Sequence, residues 1–459
     1  MSNNLKSNLT LLGLLLLATL FTAYNMGSAE LQPWDEARRG INALRMLQGG
    51  DYFNYHFLDQ TDSFNTKPPL FTWILAVSFK VFGVSLFALR LPSLIALLLF
   101  VVVVFSFVSK WKGRLVATYT VLILLLCNGI IGFHVARSGD TDMLFVFLLT
   151  TGMLSFFKFF DGEWKWGLPA SMGWFALAFL TKGLALALVV PALVAFGFIH
   201  WHSLWKEKRI VGVSAAVFIA ASIVIWQVCA GFGTETTYSE GYENLWQAMF
   251  FTDGVARFSD RSFEVGYQWD FLPSALDIRF SPWIYLLYGA LLFALIKRGS
   301  ITQIRKRLAQ DSFLTYCLLV CCSVGSLLLF SQNKHQWYIS PMLVFLAYPT
   351  ALVVCKTIGK DRRFLFVFIV FSLFFSGTKL LRIHRSEDLI VISVQAHASF
   401  LSTIDTLVVP EQTPQELLFH LYLVHPDLKL VTKPNGGEFT LARKECDNAM
   451  MRYCIIPPK

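Results

Sequence analysis

The chain has 459 residues, of which 55% are hydrophobic and only 15% charged, against roughly 25% charged in a soluble domain, so a water-soluble globule of this size is excluded. The net charge of +9 could mark a nucleic-acid binder, but the Lys and Arg residues stand in short clusters between apolar runs, with no basic domain or stacking surface. They read instead as the orientation signals of a membrane protein.

In chain order, apolar runs long enough to cross the hydrocarbon core predict eleven spanning helices, at about 9–27, 87–108, 115–133, 142–160, 167–181, 183–200, 210–230, 281–296, 313–330, 339–355 and 363–381. The first run is followed by Asn25-Met26-Gly27 rather than a small-residue cleavage site and reads as a retained helix. With the N-terminus inside, the clusters Lys110/Lys112/Arg114, Lys165, Lys206/Lys208/Arg209, Lys297 to Lys306/Arg307 and Lys356 to Arg363 all fall on the cytoplasmic side. This requires that Leu70 to Phe82 does not cross. The run is short, contains Lys80 and follows Pro68-Pro69, so an interfacial or re-entrant helix is expected.

Residues 1–381 are therefore read as a transmembrane domain. A first outer loop at 28–86, outer segments at 134–141 and 331–338, and a large outer loop at 231–280 interrupt it. Residues 382–459 are expected to form a small outward-facing α/β domain, from strand-like runs at Leu389 to Val394, Thr406 to Val409 and Lys429 to Val431. A Gly436-Gly437 turn and an amphipathic stretch from Gln415 to Val424 complete it. Cys127, Cys229, Cys317, Cys321, Cys322 and Cys355 lie in or at the ends of apolar runs as small hydrophobes. Cys446 and Cys454 lie in the tail, as a disulfide or as two separate thiols.

The unusual polar residues gather on the outer side. Pro33-Trp34-Asp35-Glu36-Ala37-Arg38-Arg39 sets two carboxylates beside guanidiniums, the makings of a general base held ionised or, more blandly, of a helix N-terminus. In Thr66-Lys67-Pro68-Pro69-Leu70 a Lys precedes the interfacial helix at headgroup depth, where a lipid phosphate sits; a snorkelling Lys is the alternative. Ala136-Arg137-Ser138-Gly139-Asp140-Thr141-Asp142 offers Asp142 to a site under the first loop, or is a cap with an incidental ion pair. Lys182, in Thr181-Lys182-Gly183, is an ionisable group inside an apolar helical hairpin, or one that reaches water at the outer face. Lys334 and Tyr338 pair a cation with a phenol, for phosphate and sugar or as an interfacial anchor with Trp337.

Taken in order, these motifs resemble those of the polyprenyl-phosphate-sugar-dependent glycosyltransferases of the GT-C class, over about residues 9–355. The resemblance is to lipid A aminoarabinose transferases and to the bacterial relatives of protein O-mannosyltransferases. It implies a GT-C fold of about 11 to 13 transmembrane helices in the bacterial inner membrane, with the active site and tail domain on the periplasmic side. It further implies inverting transfer of one pentose, aminopentose or hexose from undecaprenyl phosphate to lipid A, a surface glycan or an exported protein, with no nucleic acid involved. Asp35 would be the catalytic carboxylate with Glu36 beside it, and Arg38 and Asp142 would support them. Lys67 and Lys334, then Arg137 and Lys182, would bind the donor phosphate, with Tyr338 donating a hydrogen bond. Thr66 stands where the aminoarabinose transferases carry a metal-linked Glu, which argues against a bound divalent metal and against lipid A in particular.

Two other classes compete. A transporter or flippase should show paired half-repeats with helices broken at the midplane, and the sequence shows neither. A scaffold displaying the tail leaves cations and carboxylates in four outer loops unexplained.

Overall fold

The computed structural model describes residues 3–24, 26–28, 31–32, 34–233, 242–256, 269–296, 308, 310–332, 334–358, 370, 394, 398–434, 438–446 and 450–456. Helices occupy ten of the eleven expected spans, and seven stretches among the described residues are long and apolar enough to cross a membrane. The expected span at 363–381 lies outside the described residues, as do the side chains of Cys446 and Cys454.

The first elements are α1 (Asn3–Ala23), α2 (Asp35–Gly49), α3 (Leu70–Phe82), α4 (Leu86–Lys112), α5 (Arg114–Leu125), α6 (Asn128–Ile131), α7 (Thr141–Phe160) and α8 (Gly167–Lys182). Helix α3 starts after Pro69, as the sequence suggests, and at 13 residues is among the shorter apolar helices. Helix α1 keeps Leu5, Leu9, Leu12, Leu16 and Leu20 exposed, a stripe of helical spacing suited to lipid. The expected span at 115–133 is a shorter one. Helix α5 stops at Leu125, and Ile130 and Ile131 in the single turn of α6 are buried in protein. They are apolar because they pack, so hydropathy alone could not tell them from a lipid-facing run.

Gly183 is where the bundle turns back on itself. Lys182 reaches Asp142 at the start of α7, whereas Phe196, in the helix Val190–Ile199, and His200 just after it meet the Phe160 ring at the end of α7. The chain therefore reverses at Gly183, which has φ +59; a Cβ there would come within 2.4 Å of the Met249 sulfur. Only glycine meets both demands. The reversal sets Lys182 at the same end of the bundle as the first loop.

The two ends of the bundle carry different polar sets. One gathers Lys110 with Glu163, Lys112 with Asp311, and Ser312 with Asp161. The other gathers α2, the 126–140 segment, Lys182 and the start of Ser340–Ile358, whose Ser340 donates to the Gly129 carbonyl. Across that second end lies the C-terminal segment. Strands β3 (Thr406–Val408), β4 (Lys429–Val431), β5 (Phe439–Cys446) and β6 (Met450–Ile456) follow a hairpin in the first loop, β1 (His56–Phe57) and β2 (Gln60–Thr61). The sheet order is β4-β3-β5-β6, with β3 parallel to both neighbours and β5 antiparallel to β6. The helix Gln415–Val424 packs on α2, its Phe419 ring so close to Gly40 that a Cβ there would lie 2.5 Å away. Of the strand-like runs expected in the tail, those at 406 and 429 are strands; Leu389 to Val394, save Val394, and Gly436-Gly437 lie outside the described residues.

Candidate active site

Helix α2 begins at Asp35, so Asp35 and Glu36 both sit in its first turn, at the positive end of the helix dipole. Their environments differ completely. Glu36 is fully buried. Its Oε1 accepts from Arg90 Nε at 2.6 Å and the Gly139 amide at 2.7 Å, and its Oε2 from Arg90 Nη2 and the Gln32 amide, both at 2.9 Å. Four hydrogen bonds fill its acceptor sites and leave nothing to offer a substrate. Asp35 has a side chain 46% exposed, with His134 Nδ1 at 3.9 Å and Arg39 Nη2 at 4.0 Å. It is oriented by charge and not consumed by it.

The group behind Asp35 is built from residues far apart in sequence. Arg39, one helical turn beyond Asp35, donates from Nε to Asp140 Oδ1 at 2.7 Å. His134, itself at φ +64, lies with Nδ1 3.7 Å from Asp140 Oδ2 and stacks on the Trp337 ring at 4.0 Å. Burial pushes the His134 imidazole down, but Asp140 and Asp35 outweigh it and hold the ring toward its charged form. Burial likewise works against the Asp140 carboxylate, and the Arg39 guanidinium overcomes it, keeping Asp140 well below the usual carboxylate range.

Next to this group is a cavity of about 210 Å³ lined by Lys67, Asp142, Lys182, Ser331, Trp337 and Tyr338 over an apolar floor. Lys182 Nζ is 2.5 Å from Asp142 Oδ1 and 5.3 Å from the Tyr338 ring centre. The Lys67 main chain is fixed by Tyr55, which donates to its carbonyl, and by Asn65, which accepts from its amide. Asn65 is in turn held by Asn42. A separate open apolar groove of about 1000 Å³ runs between α8, Val190–Ile199 and Lys208–Gly231, lined by Phe175, Phe179, Val194, Phe198 and Trp226 among others.

Of the residues singled out from sequence, Asp35, Asp142, Lys67, Lys182 and Tyr338 converge here. Glu36 is spent on Arg90, and Arg38 forms a fork with Asp62 at 2.7 and 2.6 Å, on another side of α2. Arg137 donates to the carbonyls of Phe21 and Tyr24 and so caps the end of α1. Burial, with Arg90 nearby, lowers its pKa. Lys334 does not line the cavity; its ammonium is buried over the Phe271 ring without a hydrogen-bond partner among the described residues. Burial lowers its pKa, with Asp270 opposing.

Sequence reading named Arg39 and Asp140 within their motifs without giving either a role of its own, and overlooked His134 and Arg279, whose guanidinium lies over Trp337. For Arg39 a signal existed, since i,i+4 spacing sets it beneath Asp35. His134 carried none, because its place follows from a left-handed backbone.

A metal could be considered at Asp35, His134 and Asp140, whose ligand atoms lie within 4.8 Å of one another. However, Arg39 is bonded to Asp140 and His134 is drawn toward its charged form. Two protein cations already supply the charge a divalent ion would bring, so the trio as arranged does not fit one.

Residues 66–226 match the model of the dolichyl-phosphate-mannose-protein mannosyltransferase family. The chain is 29% identical over 325 residues to the undecaprenyl phosphate-alpha-4-amino-4-deoxy-L-arabinose arabinosyl transferase of Pseudomonas aeruginosa (strain LESB58), covering 68% of this chain and 54% of that one. A second such transferase, from Proteus mirabilis (strain HI4320), is 29% identical over 372 residues, 78% of this chain and 60% of its own. The chain thus spans little more than half the length of these curated relatives. Among solved structures it is similar to ArnT from Cupriavidus metallidurans bound to undecaprenyl phosphate, with a TM-score of 0.68 at 14% identity over 99% of this chain and 98% of that one. The archaeal oligosaccharyltransferase AglB from Archaeoglobus fulgidus gives 0.53 at 10% identity, over 93% and 64%. The fold is that of the GT-C class, and the resemblance read from the motifs is borne out.

Proposed function

We propose that this protein is a glycosyltransferase that moves one sugar from a polyprenyl-phosphate carrier to an acceptor at the periplasmic face of the bacterial inner membrane, with inversion at the sugar. One observation carries the reading: an under-coordinated Asp35 stands beside a small cavity with cations and a phenol in its wall, over apolar surface suited to an isoprenoid chain. The names of the relatives support the donor class. The Pseudomonas and Proteus proteins are named for undecaprenyl-phosphate-linked aminoarabinose, and the Cupriavidus structure holds undecaprenyl phosphate.

In this reading the acceptor oxygen attacks C1 of the sugar from the face opposite the phosphate and a new C1–O bond forms. Asp35 takes the acceptor proton as the nucleophile attacks. The bond between C1 and the phosphate oxygen breaks, and the polyprenyl phosphate leaves with its electron pair. Lys67 and Lys182 balance the charge that develops on it, and Tyr338 donates a hydrogen bond. Asp142 holds Lys182, while Arg39 and His134 stand 4.0 and 3.9 Å from the Asp35 carboxylate and orient it. Lys334 is kept as a second-rank cation for the phosphate, because its buried ammonium has no hydrogen-bond partner among the described residues. Glu36, Arg38 and Arg137 are assigned to holding the loops in place.

A transporter or flippase draws less support, because the ionisable residues of this cluster gather at one end of the bundle and not at its midplane. The test is binding of undecaprenyl phosphate to the purified full chain, followed by release of sugar from a polyprenyl-phosphate donor. Binding in wild type, its weakening in Lys67→Ala and loss of turnover in Asp35→Asn are expected. Wild-type protein with no affinity for the lipid phosphate would sink the proposal.

A further inference from the structure

Beside Asp35, on the other flank of α2, an open groove of about 540 Å³ separates the first loop from the C-terminal segment. That volume lies within the roughly 300–1,000 Å³ of small-molecule sites. One wall carries the aromatic residues Trp34, Phe57 and Phe64, with Trp34 62% and Phe64 65% exposed. The C-terminal segment contributes Gln412, Gln415, Glu411 and Glu416, and Gln60 and Ser63 of the first loop line the groove as well. The walls are tied together at two points. Thr432 meets Asp59 at 3.3 Å, and Gln415, with its amide turned to satisfy both partners, donates to the Trp34 carbonyl at 3.0 Å and accepts from Arg38 at 2.8 Å.

The backbone is strained around this groove. Trp34 and Leu58, both in its wall, and His134, facing Asp35, are the non-glycine residues with positive φ among those described. For a bulky residue such a conformation is strained. In Trp34 it turns an indole out beside the proposed catalytic carboxylate.

We infer that this groove binds the acceptor, and that the acceptor is a neutral glycan presenting a hydroxyl to Asp35; the inference rests on the transferase reading above. The lining decides the class. Flat exposed rings beside carboxamides and carboxylates suit the C–H faces and hydroxyls of sugar rings. Among the described lining residues, an anionic acceptor such as a phosphate finds no available cation. Arg38 is the cation among the described lining residues, and its guanidinium is committed to Asp62 and Gln415 between the Phe57 and Phe64 rings. Glu411 and Glu416 add like charge. A sugar stacked on Trp34 sits one residue from Asp35. Its hydroxyl oxygen bonds to C1 of the donor sugar, its proton passes to Asp35, and the lipid phosphate departs.

The test uses the full chain in lipid nanodiscs with three probes: fluorescent neutral tetrasaccharides, lipid A, and a Ser/Thr-rich peptide. Undecaprenyl phosphate affinity is measured on the same samples. Neutral tetrasaccharide binding is expected, falling at least tenfold in Trp34→Gly, where glycine accepts the positive φ without strain, and in Phe64→Ala. Both variants should keep their affinity for undecaprenyl phosphate, which shows that they are folded. Retention of lipid A or peptide alone, binding of no probe, or unchanged tetrasaccharide binding in both variants overturns the inference. If wild type instead fails to bind undecaprenyl phosphate, the transferase reading falls, and the tetrasaccharide result still reports on the groove.

Discussion

The two ends of the bundle use carboxylates in opposite ways. Away from the site, Asp311 accepts from Trp111 Nε1 at 3.2 Å, the Leu314 amide at 3.1 Å and the Tyr348 hydroxyl at 2.8 Å, with Lys112 at 3.0 Å. At the other end Asp35 has its nearest cations at 3.9 and 4.0 Å and no hydrogen-bond donor among the described residues. A saturated carboxylate has already used its acceptor capacity to stabilise the fold, whereas an under-coordinated one keeps capacity for a substrate. The same contrast recurs within α2 between neighbours, with Glu36 saturated and Asp35 not.

Substitutions at both ends should break or sharpen this contrast. Asp35→Asn should lower sugar transfer by roughly 10²–10⁴-fold with an unchanged thermal midpoint; a large drop in that midpoint would place Asp35 with the structural carboxylates. Glu36→Gln should do the reverse. Removing one charge from its buried pair with Arg90 should destabilise the protein by about 3–5 kcal/mol, read by thermal unfolding in detergent, while any folded fraction still binds donor. At the opposite end, Asp311→Asn should cost about 1–3 kcal/mol and leave the rate per folded molecule as in wild type. Lys334→Met removes a buried ammonium that has no hydrogen-bond partner among the described residues, so stability should rise slightly; weakened undecaprenyl phosphate binding in the same variant would bring Lys334 into the donor site.

The smallest effect concerns pH. The Asp140 carboxyl lies below its ordinary value, so its pair with Arg39 adds stability above the unfolded carboxyl pKa of about 3.9, and that contribution is lost as pH falls below it. The stability difference between wild type and Asp140→Asn should therefore widen slightly from pH 7 to 5, as His134 takes up its proton beside Asp140, and shrink only in stronger acid. A difference already narrowing by pH 5 would mean that the pair is weaker than its 2.7 Å geometry implies.

Much of the fold was legible because a membrane makes local sequence decisive. Each spanning helix must satisfy its own backbone, so apolar run length reports it directly, and the 13-residue length of α3 stands as read. The run through Ile130 and Ile131 misled because packing against protein and packing against lipid demand the same residues. At the site, Lys67, Lys182 and Tyr338 could be found as polar residues where a membrane protein rarely keeps them. Arg137 met the same criterion and turned out to cap α1, because composition shows that a cation is present and not which carbonyl or phosphate it faces.

The sequence by itself determined that this is a multi-span membrane protein, and led to the expectation that Asp35, Lys67, Lys182 and Tyr338 share one face of it. Only the tertiary structure decided which of two adjacent carboxylates is left open. That choice depends on Arg90, 54 residues from Glu36, and on Asp140, 101 residues from Arg39. Hydropathy and spacing are local properties of the chain, whereas the coordination of a charge is set by whichever distant groups the packed helices bring within about 3 Å of it.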